Sequence, residues 1–256
     1  MRVGNMSSRK DKKYFLEKLN EFFDPDRLNR VYPRQAYYVF TEVGAFYATL
    51  AGKEKRAFES AVLEWLDAES TQENALRIVF KIKLHRALDR ILEIAKEYAP
   101  RRDSSNRWRN EKASMRVVYC IAALGAIGDP KALNFLEQEA GHSGDLYPLA
   151  GQGFVAILAI AFINMDRAFD YLPIVVRGDL QFGKEREEII PGYKRERYGY
   201  TYDMIRGLAY FFGSQSKTMV DSRRKNLTSE EEQYVKEAWN YFVGGNQEKR
   251  SHQASV

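Results

Sequence analysis

The chain has 256 residues, 45% of them apolar, and a single cysteine, so it can fill a hydrophobic core but cannot form an internal disulfide. Its net charge of +5 is concentrated in two places, since residues 1–13 and residues 101–116 each carry a net charge of +4. The composition therefore excludes a disulfide-stapled domain and a uniformly basic surface of the kind that coats nucleic acid.

The beginning of the chain is basic and lacks the apolar stretch of a secretory signal. Residues 1–13 are predicted to be a flexible basic tail. The lone cysteine, Cys120, suits a reducing compartment. Together these features predict a cytoplasmic protein.

Apolar residues recur at helical spacing along nearly the whole chain, and no alternating strand pattern is followed by a tight turn and a second strand. The first predicted helix covers about residues 10–23 and ends before Asp24-Pro25. The second starts at Pro33, ends before Gly52 and carries Tyr37 on its apolar stripe. Further helices are predicted over 53–66, 73–84 and 86–98.

A basic stretch over 101–112 connects two of the predicted helices and mixes arginines with a tryptophan. This composition is typical of phosphate binding with base stacking, and equally of a protein-binding hot spot. The bland alternative is a solvated loop whose tryptophan packs in the core. The candidate binding residues of this stretch are Arg101, Arg102, Arg107, Trp108 and Arg109.

The next helix is predicted to start near Glu111, with one apolar stripe that ends at Ile127. Gly128 can then adopt a left-handed conformation, Asp129 can cap a new helix, and Pro130 suits its first turn. The pattern predicts a two-residue turn between antiparallel helices over 111–127 and 130–140. Such a pair buries too little apolar surface to fold alone, so we expect it to stack on neighbours.

The same spacing of apolar and small residues recurs three times, at Ile82, Ala87 and Ile91, at Ile127, Ala132 and Leu136, and at Ile163, Ala168 and Leu172. The segment Ala123-Leu124-Gly125-x-Ile127-Gly128-Asp129-Pro130-x-Ala132-x-x-x-Leu136 resembles a HEAT-like repeat of the phycobilisome-lyase type. The segment from Ala161 to Leu172 resembles a degenerate copy that lacks the glycines and the proline.

The resemblance covers residues 72–177, with the clearest repeats over 72–99, 111–140 and 145–177. It implies a curved stack of helical hairpins, that is, a HEAT-like or ARM-like α-solenoid, and a protein-binding or scaffold role. It implies no lyase chemistry, because no catalytic residue belongs to the repeat. The fold prediction is therefore an all-α protein of stacked antiparallel helical hairpins with irregular terminal helices.

Residues 146–165 contain no charged residue over a length that could span a bilayer. Pro148, Gln152 and Asn164 interrupt the segment, and no charged residues form flanking anchors. We interpret it as a buried central helix and predict no membrane partner.

A second candidate binding stretch, 193–206, interleaves tyrosines with basic residues. Tyrosines at alternate positions suggest an extended or loop segment, in which they cannot all share one buried helical face. Tyrosine-rich, arginine-bearing loops favour recognition of a partner. The candidate binding residues are Tyr193, Arg195, Arg197, Tyr198, Tyr200 and Tyr202.

The end of the chain begins with a capping box formed by Thr228 and Glu231, which predicts a helix to Val243 that Gly244-Gly245 closes. Residues 245–256 are polar and are predicted to be disordered. Residues 14–244 are predicted to form a single helical-repeat domain.

Catalytic chemistry finds little support among the residue patterns. Cys120 lies on a buried stripe, and three scattered histidines make no metal-ligand spacing, so we predict no metal site. The pattern Gly151-x-Gly153-x-x-Ala156 matches a dinucleotide loop but lacks the strand that such a loop requires. No catalytic residue and no cofactor are predicted.

The leading functional prediction is a non-enzymatic protein-binding scaffold, adaptor, assembly or inhibitory factor. Its contact surface would comprise helix faces and the two candidate stretches. The alternative is a HEAT-like protein that binds DNA or RNA, with base-modifying chemistry as a further option, through the same basic and aromatic stretches.

Overall fold

The computed structural model describes residues 10–32, 35, 37–99, 107–141, 150–189, 200–223 and 226–253. All regular structure within these ranges is helical, which confirms the predicted all-α class. The chain divides into two compact units, Met1–Ile127 and Gly128–Val256. The boundary falls at the glycine for which the sequence predicts a turn.

The first unit contains seven α-helices in its described residues, and their order follows the prediction closely from residue 52 onward. A short 3-10 turn over His85–Ala87 connects the fifth helix to the sixth. The helices are α1 (Lys12–Phe22), α2 (Pro25–Val31), α3 (Tyr38–Thr49), α4 (Gly52–Asp67), α5 (Gln72–Ile82), α6 (Leu88–Tyr98) and α7 (Arg107–Ile127).

Local side-chain chemistry explains where the first helices begin. The carboxylate of Asp11 accepts a hydrogen bond from the Tyr14 backbone N–H at 3.1 Å, and Asp24 does the same for Arg27 at 2.8 Å. Pro25 occupies the first turn of α2, where its missing N–H costs nothing. The predicted stop before Asp24-Pro25 is confirmed.

The core of the first unit is aromatic where α1, α3 and α4 meet. Phe15 of α1 and Phe58 of α4 are fully buried, with ring centroids 5.6 Å apart. The Phe46 ring of α3 lies 6.2 Å from Phe15 and 5.9 Å from Phe58. Edge-to-face pairs at these distances stabilise a core beyond the area that they bury.

Alternate helices of the first unit run parallel. The Arg77 guanidinium of α5 lies over the Phe40 ring of α3, and Lys81, one turn further along α5, covers Gly44, one turn further along α3. The hydrogen bonds from Arg116 to Gln72 and from Arg77 to Tyr119 step forward together along α5 and α7 in the same way. Helices α3, α5 and α7 therefore point in one direction, as the first helices of successive stacked pairs would.

One predicted element of the first unit is wrong at its start. The helix predicted from Pro33 begins at Tyr38, and Tyr37 is 58% exposed although its spacing placed it on the apolar stripe. Tyr37 precedes the first helical residue, so the helical spacing that would have turned it toward the core does not extend to it.

The second unit contains seven further α-helices in its described residues, preceded by a 3-10 turn over Pro130–Ala132. The helices are α8 (Leu133–Gly141), α9 (Ala150–Ile163), α10 (Met165–Phe169), α11 (Leu172–Ile189), α12 (Tyr200–Phe212), α13 (Ser214–Arg223) and α14 (Ser229–Gln253).

The turn predicted after Ile127 is present. Gly128 has a φ of 76°, and the Asp129 carboxylate accepts a hydrogen bond from the Lys131 backbone N–H at 2.9 Å. Pro130 begins the following turn, as its fixed φ favours. The antiparallel packing of the flanking helices stays a prediction, because those helices belong to different units.

Helix α9 carries most of the uncharged segment over 146–165, and its residues 156, 157 and 159–161 are buried. Among the described residues, none of the helices combines the length and the apolar character needed to span a bilayer. Helices α9 and α12 run parallel in close contact: a Cβ on Gly207 would lie 2.9 Å from Leu158 Cδ2, and one turn later Phe162 packs on Phe211.

The predicted capping box is confirmed at the start of α14. The Thr228 N–H donates to Glu231 Oε2 at 2.8 Å, and the Glu231 N–H donates to Thr228 Oγ1 at 3.3 Å. The predicted end of this helix is wrong, because α14 continues through Gly244 and Gly245 to Gln253. Glycine weakens a helix by only about 1 kcal/mol and does not by itself end one.

Candidate functional site

The structure separates the predicted binding residues into three groups. Six of them lie outside the described residues: Arg101, Arg102, Tyr193, Arg195, Arg197 and Tyr198. Four lie where the backbone is described, Arg107, Trp108 and Arg109 in the first turn of α7 and Tyr200 at the first residue of α12. The helix α7 thus begins four residues earlier than the sequence predicted, and these three residues do not belong to a connecting loop.

Tyr202 is a correction to the predicted binding surface. It is 4% exposed, and its ring lies 5.5 Å from Tyr234 and 6.0 Å from Tyr241, both on α14. The extended segment predicted from alternate tyrosines is helical from Tyr200 onward. The turn of the helix directs Tyr202 into the packing between α12 and α14, so it cannot contact a partner from the folded surface.

A buried carboxylate fixes the start of α12. Asp179 of α11 accepts a hydrogen bond from the Thr201 backbone N–H at 2.7 Å, and the Tyr234 hydroxyl lies 3.5 Å from the same oxygen. A carboxylate at this position satisfies an unpaired N–H and favours the positive end of the helix dipole. This contact positions the whole of α12, including its aromatic C-terminal end.

The described surface of the second unit carries four aromatic residues at the ends of α9 and α12, which we name the aromatic end cluster: Phe162, Tyr210, Phe211 and Phe212. Tyr210 is 82% exposed, Phe211 51% and Phe162 45%. Side chains of this size are normally buried in single-domain folds, and exposed groups of them mark interaction sites.

The rings of the aromatic end cluster touch one another. The Phe211 ring centroid lies 5.0 Å from Phe162 and 5.0 Å from Tyr210, and Phe162 lies 5.3 Å from Phe212. The close approach at Gly207 brings the two parallel helices together so that their ends coincide. The cluster is therefore a continuous aromatic surface held by two helices.

The aromatic end cluster was missed at the level of sequence, although a signal for it exists. Tyr210, Phe211 and Phe212 are consecutive on a helix, where successive side chains point about 100° apart. Three consecutive aromatic residues therefore cannot all face one core.

Two arginines of the first unit are held within the fold by their neighbours. Arg77 lies 4.4 Å from the centroid of the Tyr119 ring, donates to the hydroxyl of that tyrosine, and pairs with Glu73 at 3.0 Å. Arg116 lies over the Tyr98 ring at 4.7 Å and donates to Tyr98, to the backbone of Glu69 and to Gln72. These cations tie α5, α6 and α7 together, so the basic stretch over 101–116 contributes one cation fewer to any external ligand.

Cys120 is fully buried on α7, as predicted for a packed side chain. Burial raises the pKa of its thiol well above the ordinary value, and the nearby Arg116 charge offsets only part of that rise. A thiol in this state is protonated at neutral pH and cannot act as a nucleophile.

The second unit has a groove of about 510 Å³ between α11 and the start of α14. Its charges are paired across it: Arg177 bonds Glu231 at 2.9 Å, and Lys184 bonds Glu230 at 3.1 Å. The groove offers no uncompensated charge among these residues. The described part of the chain contains no group of three or more histidine, cysteine or acidic side chains arranged to hold a metal ion.

Comparison with known proteins found no matching family model, no matching curated protein and no matching solved structure. Function is therefore inferred from the residues and their geometry alone.

Proposed function

We propose that this chain is a non-enzymatic protein-binding scaffold whose stacked helices hold the aromatic end cluster toward a protein partner. The cluster carries the proposal. Tyrosine and phenylalanine are enriched where protein surfaces bind each other, and the largest contributions come from aromatic anchors that a partner fully desolvates.

Rigidity of the cluster favours tight binding. Each ring already contacts another ring of the cluster, and the two helices meet closely at Gly207. Side chains that are ordered before binding lose less conformational entropy when the partner arrives. A partner that covers Tyr210 and Phe211 would therefore keep most of the free energy of burying them.

The arrangement of the first unit supports a scaffold role. Parallel α3, α5 and α7 resemble the repeated first helices of stacked hairpins, which is the architecture that the HEAT-like resemblance over 72–177 implies. Repeat folds of this kind present extended helix faces to their partners.

The proposal is tested by affinity capture with the full chain as bait, in the presence of nuclease. The variant Tyr210→Ser with Phe211→Ser should lose a stoichiometric protein that the wild type retains. Phe80→Ser is the matched control, because Phe80 is an exposed aromatic residue of the first unit. Retention of the same protein by the double variant would contradict the proposal.

Nucleic-acid binding is the second candidate function. One observation favours it: Arg107, Trp108 and Arg109 occupy the first turn of one helix, so two cations flank an aromatic residue on an ordered backbone. Affinity for DNA or RNA should then fall steeply with salt, with a log-log slope of about −0.7 to −0.9 per neutralised phosphate. Arg107→Glu with Arg109→Glu should abolish binding, and survival of binding in that variant would exclude this stretch.

A further inference from the structure

The first unit exposes a second group of aromatic residues, at the junction of α2 and α3. We name Tyr32, Tyr37 and Tyr38 the tyrosine platform. Tyr37 is 58% exposed and Tyr38 43%. Their ring centroids are 4.5 Å apart with an interplanar angle of 31°, and the Tyr32 ring lies 6.4 Å from Tyr38. The packing of the core does not account for two stacked tyrosines that face solvent.

An ion pair holds the inner end of the platform in place. Arg27 donates to both carboxylate oxygens of Glu42, at 2.7 and 2.8 Å, and the Tyr32 hydroxyl donates to Glu42 at 2.9 Å. Burial raises the pKa of Glu42, but the hydrogen bonds from Arg27 and Tyr32 outweigh that effect and the net shift is downward. The carboxylate therefore stays ionised at neutral pH and anchors the Tyr32 ring behind Tyr38.

The surroundings of the platform in the chain are basic. From Arg27 to Thr41 the sequence contains three arginines and no acidic residue. Glu42 neutralises Arg27, whereas Arg30 is exposed and forms no ion pair with any side chain that the structure describes. An uncompensated cation thus lies two positions before Tyr32.

We propose that the tyrosine platform binds single-stranded nucleic acid, with a base stacked on the outer face of Tyr37 and Arg30 paired with a phosphate. Stacked aromatic rings next to unpaired cations are the features that bind unpaired bases without regard to their sequence. The local charge favours a polyanion over an uncharged apolar peptide, because no acidic residue within that stretch would repel phosphate. The site does not depend on the proposed protein partner.

The test is fluorescence anisotropy of a labelled oligothymidylate of about ten nucleotides, titrated with the full chain at several salt concentrations. Tyr37→Ala with Tyr38→Ala should weaken binding about 5- to 100-fold, because each stacked base is lost. Tyr37→Phe with Tyr38→Phe should keep most of the affinity, since a phenyl ring also stacks. Arg30→Gln should reduce the salt slope by about 0.7.

The control variant is Tyr210→Ser with Phe211→Ser, which removes exposed aromatic residues of the second unit and should bind the oligonucleotide as the wild type does. Circular dichroism of each variant checks that it is folded. Equal affinity of the wild type and the alanine pair, failure of the wild type to bind at low salt, or equal preference for duplex would each overturn the proposal. Loss of a captured protein instead of the oligonucleotide from the alanine pair would assign the platform to a protein.

Discussion

At the scale of single residues, the described core of the first unit depends on Phe15. This side chain is fully buried and lies within 6.2 Å, centroid to centroid, of the rings of Tyr14, Phe46 and Phe58. Its removal would leave a cavity lined by aromatic faces that the surrounding helices cannot fill without moving. The cost of that cavity adds to the lost transfer free energy.

Phe15→Ala is expected to lower the free energy of unfolding of the first unit by about 3 to 5 kcal/mol. Urea denaturation followed by circular dichroism measures the change. Phe80→Ala is the control, since this phenylalanine is exposed and its loss should change stability by no more than about 0.5 kcal/mol. Equal losses for the two variants would contradict the placement of Phe15.

Glu231 has a similar weight at the start of α14. Burial raises its pKa, but hydrogen bonds from the Thr228 backbone N–H and from Arg177 outweigh burial, so the net pKa is lowered. A lowered pKa in the folded state means that the ionised carboxylate stabilises the fold. This contribution is complete above the unfolded pKa of about 4.3 and is lost as the pH falls through the lower folded value.

Glu231→Gln is therefore expected to be less stable than the wild type at neutral pH, and the gap should close as the pH is lowered below about 4.3. Denaturant midpoints of both proteins, compared from neutral to acidic pH, measure the gap. A gap that stays constant over this range would show that the charge of Glu231 contributes nothing.

At the scale of elements, the turn after α7 depends on backbone conformation. Gly128 has a φ of 76°, and a Cβ added there would meet no atom within 4 Å. Any cost of a side chain at this position is thus conformational and not steric.

Gly128→Ala is expected to cost about 1 kcal/mol of stability, because alanine adopts a left-handed conformation only with strain. Gly141→Ala is the matched control: it has the same open surroundings without a positive φ, and alanine favours the helix that it ends. Thermal or chemical unfolding of the two variants measures the difference. Equal stability of the pair would be inconsistent with the left-handed turn.

At the scale of the whole molecule, the lone cysteine makes opening of the first unit measurable. Cys120 is fully buried, and it is the single thiol of the 256-residue chain. A thiol reagent can modify it only when the helices around it separate. The rate of modification at low reagent concentration then follows the population of the open state.

Modification of Cys120 is expected to be slow in the wild type and more than about 100-fold faster in Phe15→Ala, since each 1.4 kcal/mol of lost stability raises the open population tenfold. A chromogenic disulfide reagent measures the rate. The Phe80→Ala control should react at the wild-type rate. Rapid modification of the native wild type would contradict the burial of Cys120.

Less of the candidate site than of the fold could be predicted from the sequence. The sequence pointed to tyrosine-rich and arginine-rich stretches as binding surfaces, yet Tyr202 of that set is buried. It also placed Tyr37 on an apolar stripe, although the helix starts one residue later. The spacing of apolar residues gives their directions around a helix axis relative to each other. It does not say which direction meets a neighbour, nor how far the helix extends.

The sequence by itself determined the all-α class and several helix boundaries, among them the turn at Gly128 and the capping box at Thr228. These features follow from the backbone freedom of glycine, the fixed φ of proline and short-range hydrogen bonds, all of which act within a few residues. Only the tertiary structure decided which aromatic residues are exposed. That outcome depends on which helices lie side by side, as when Gly207 lets α9 and α12 approach and brings Phe162 against Phe211 at their ends.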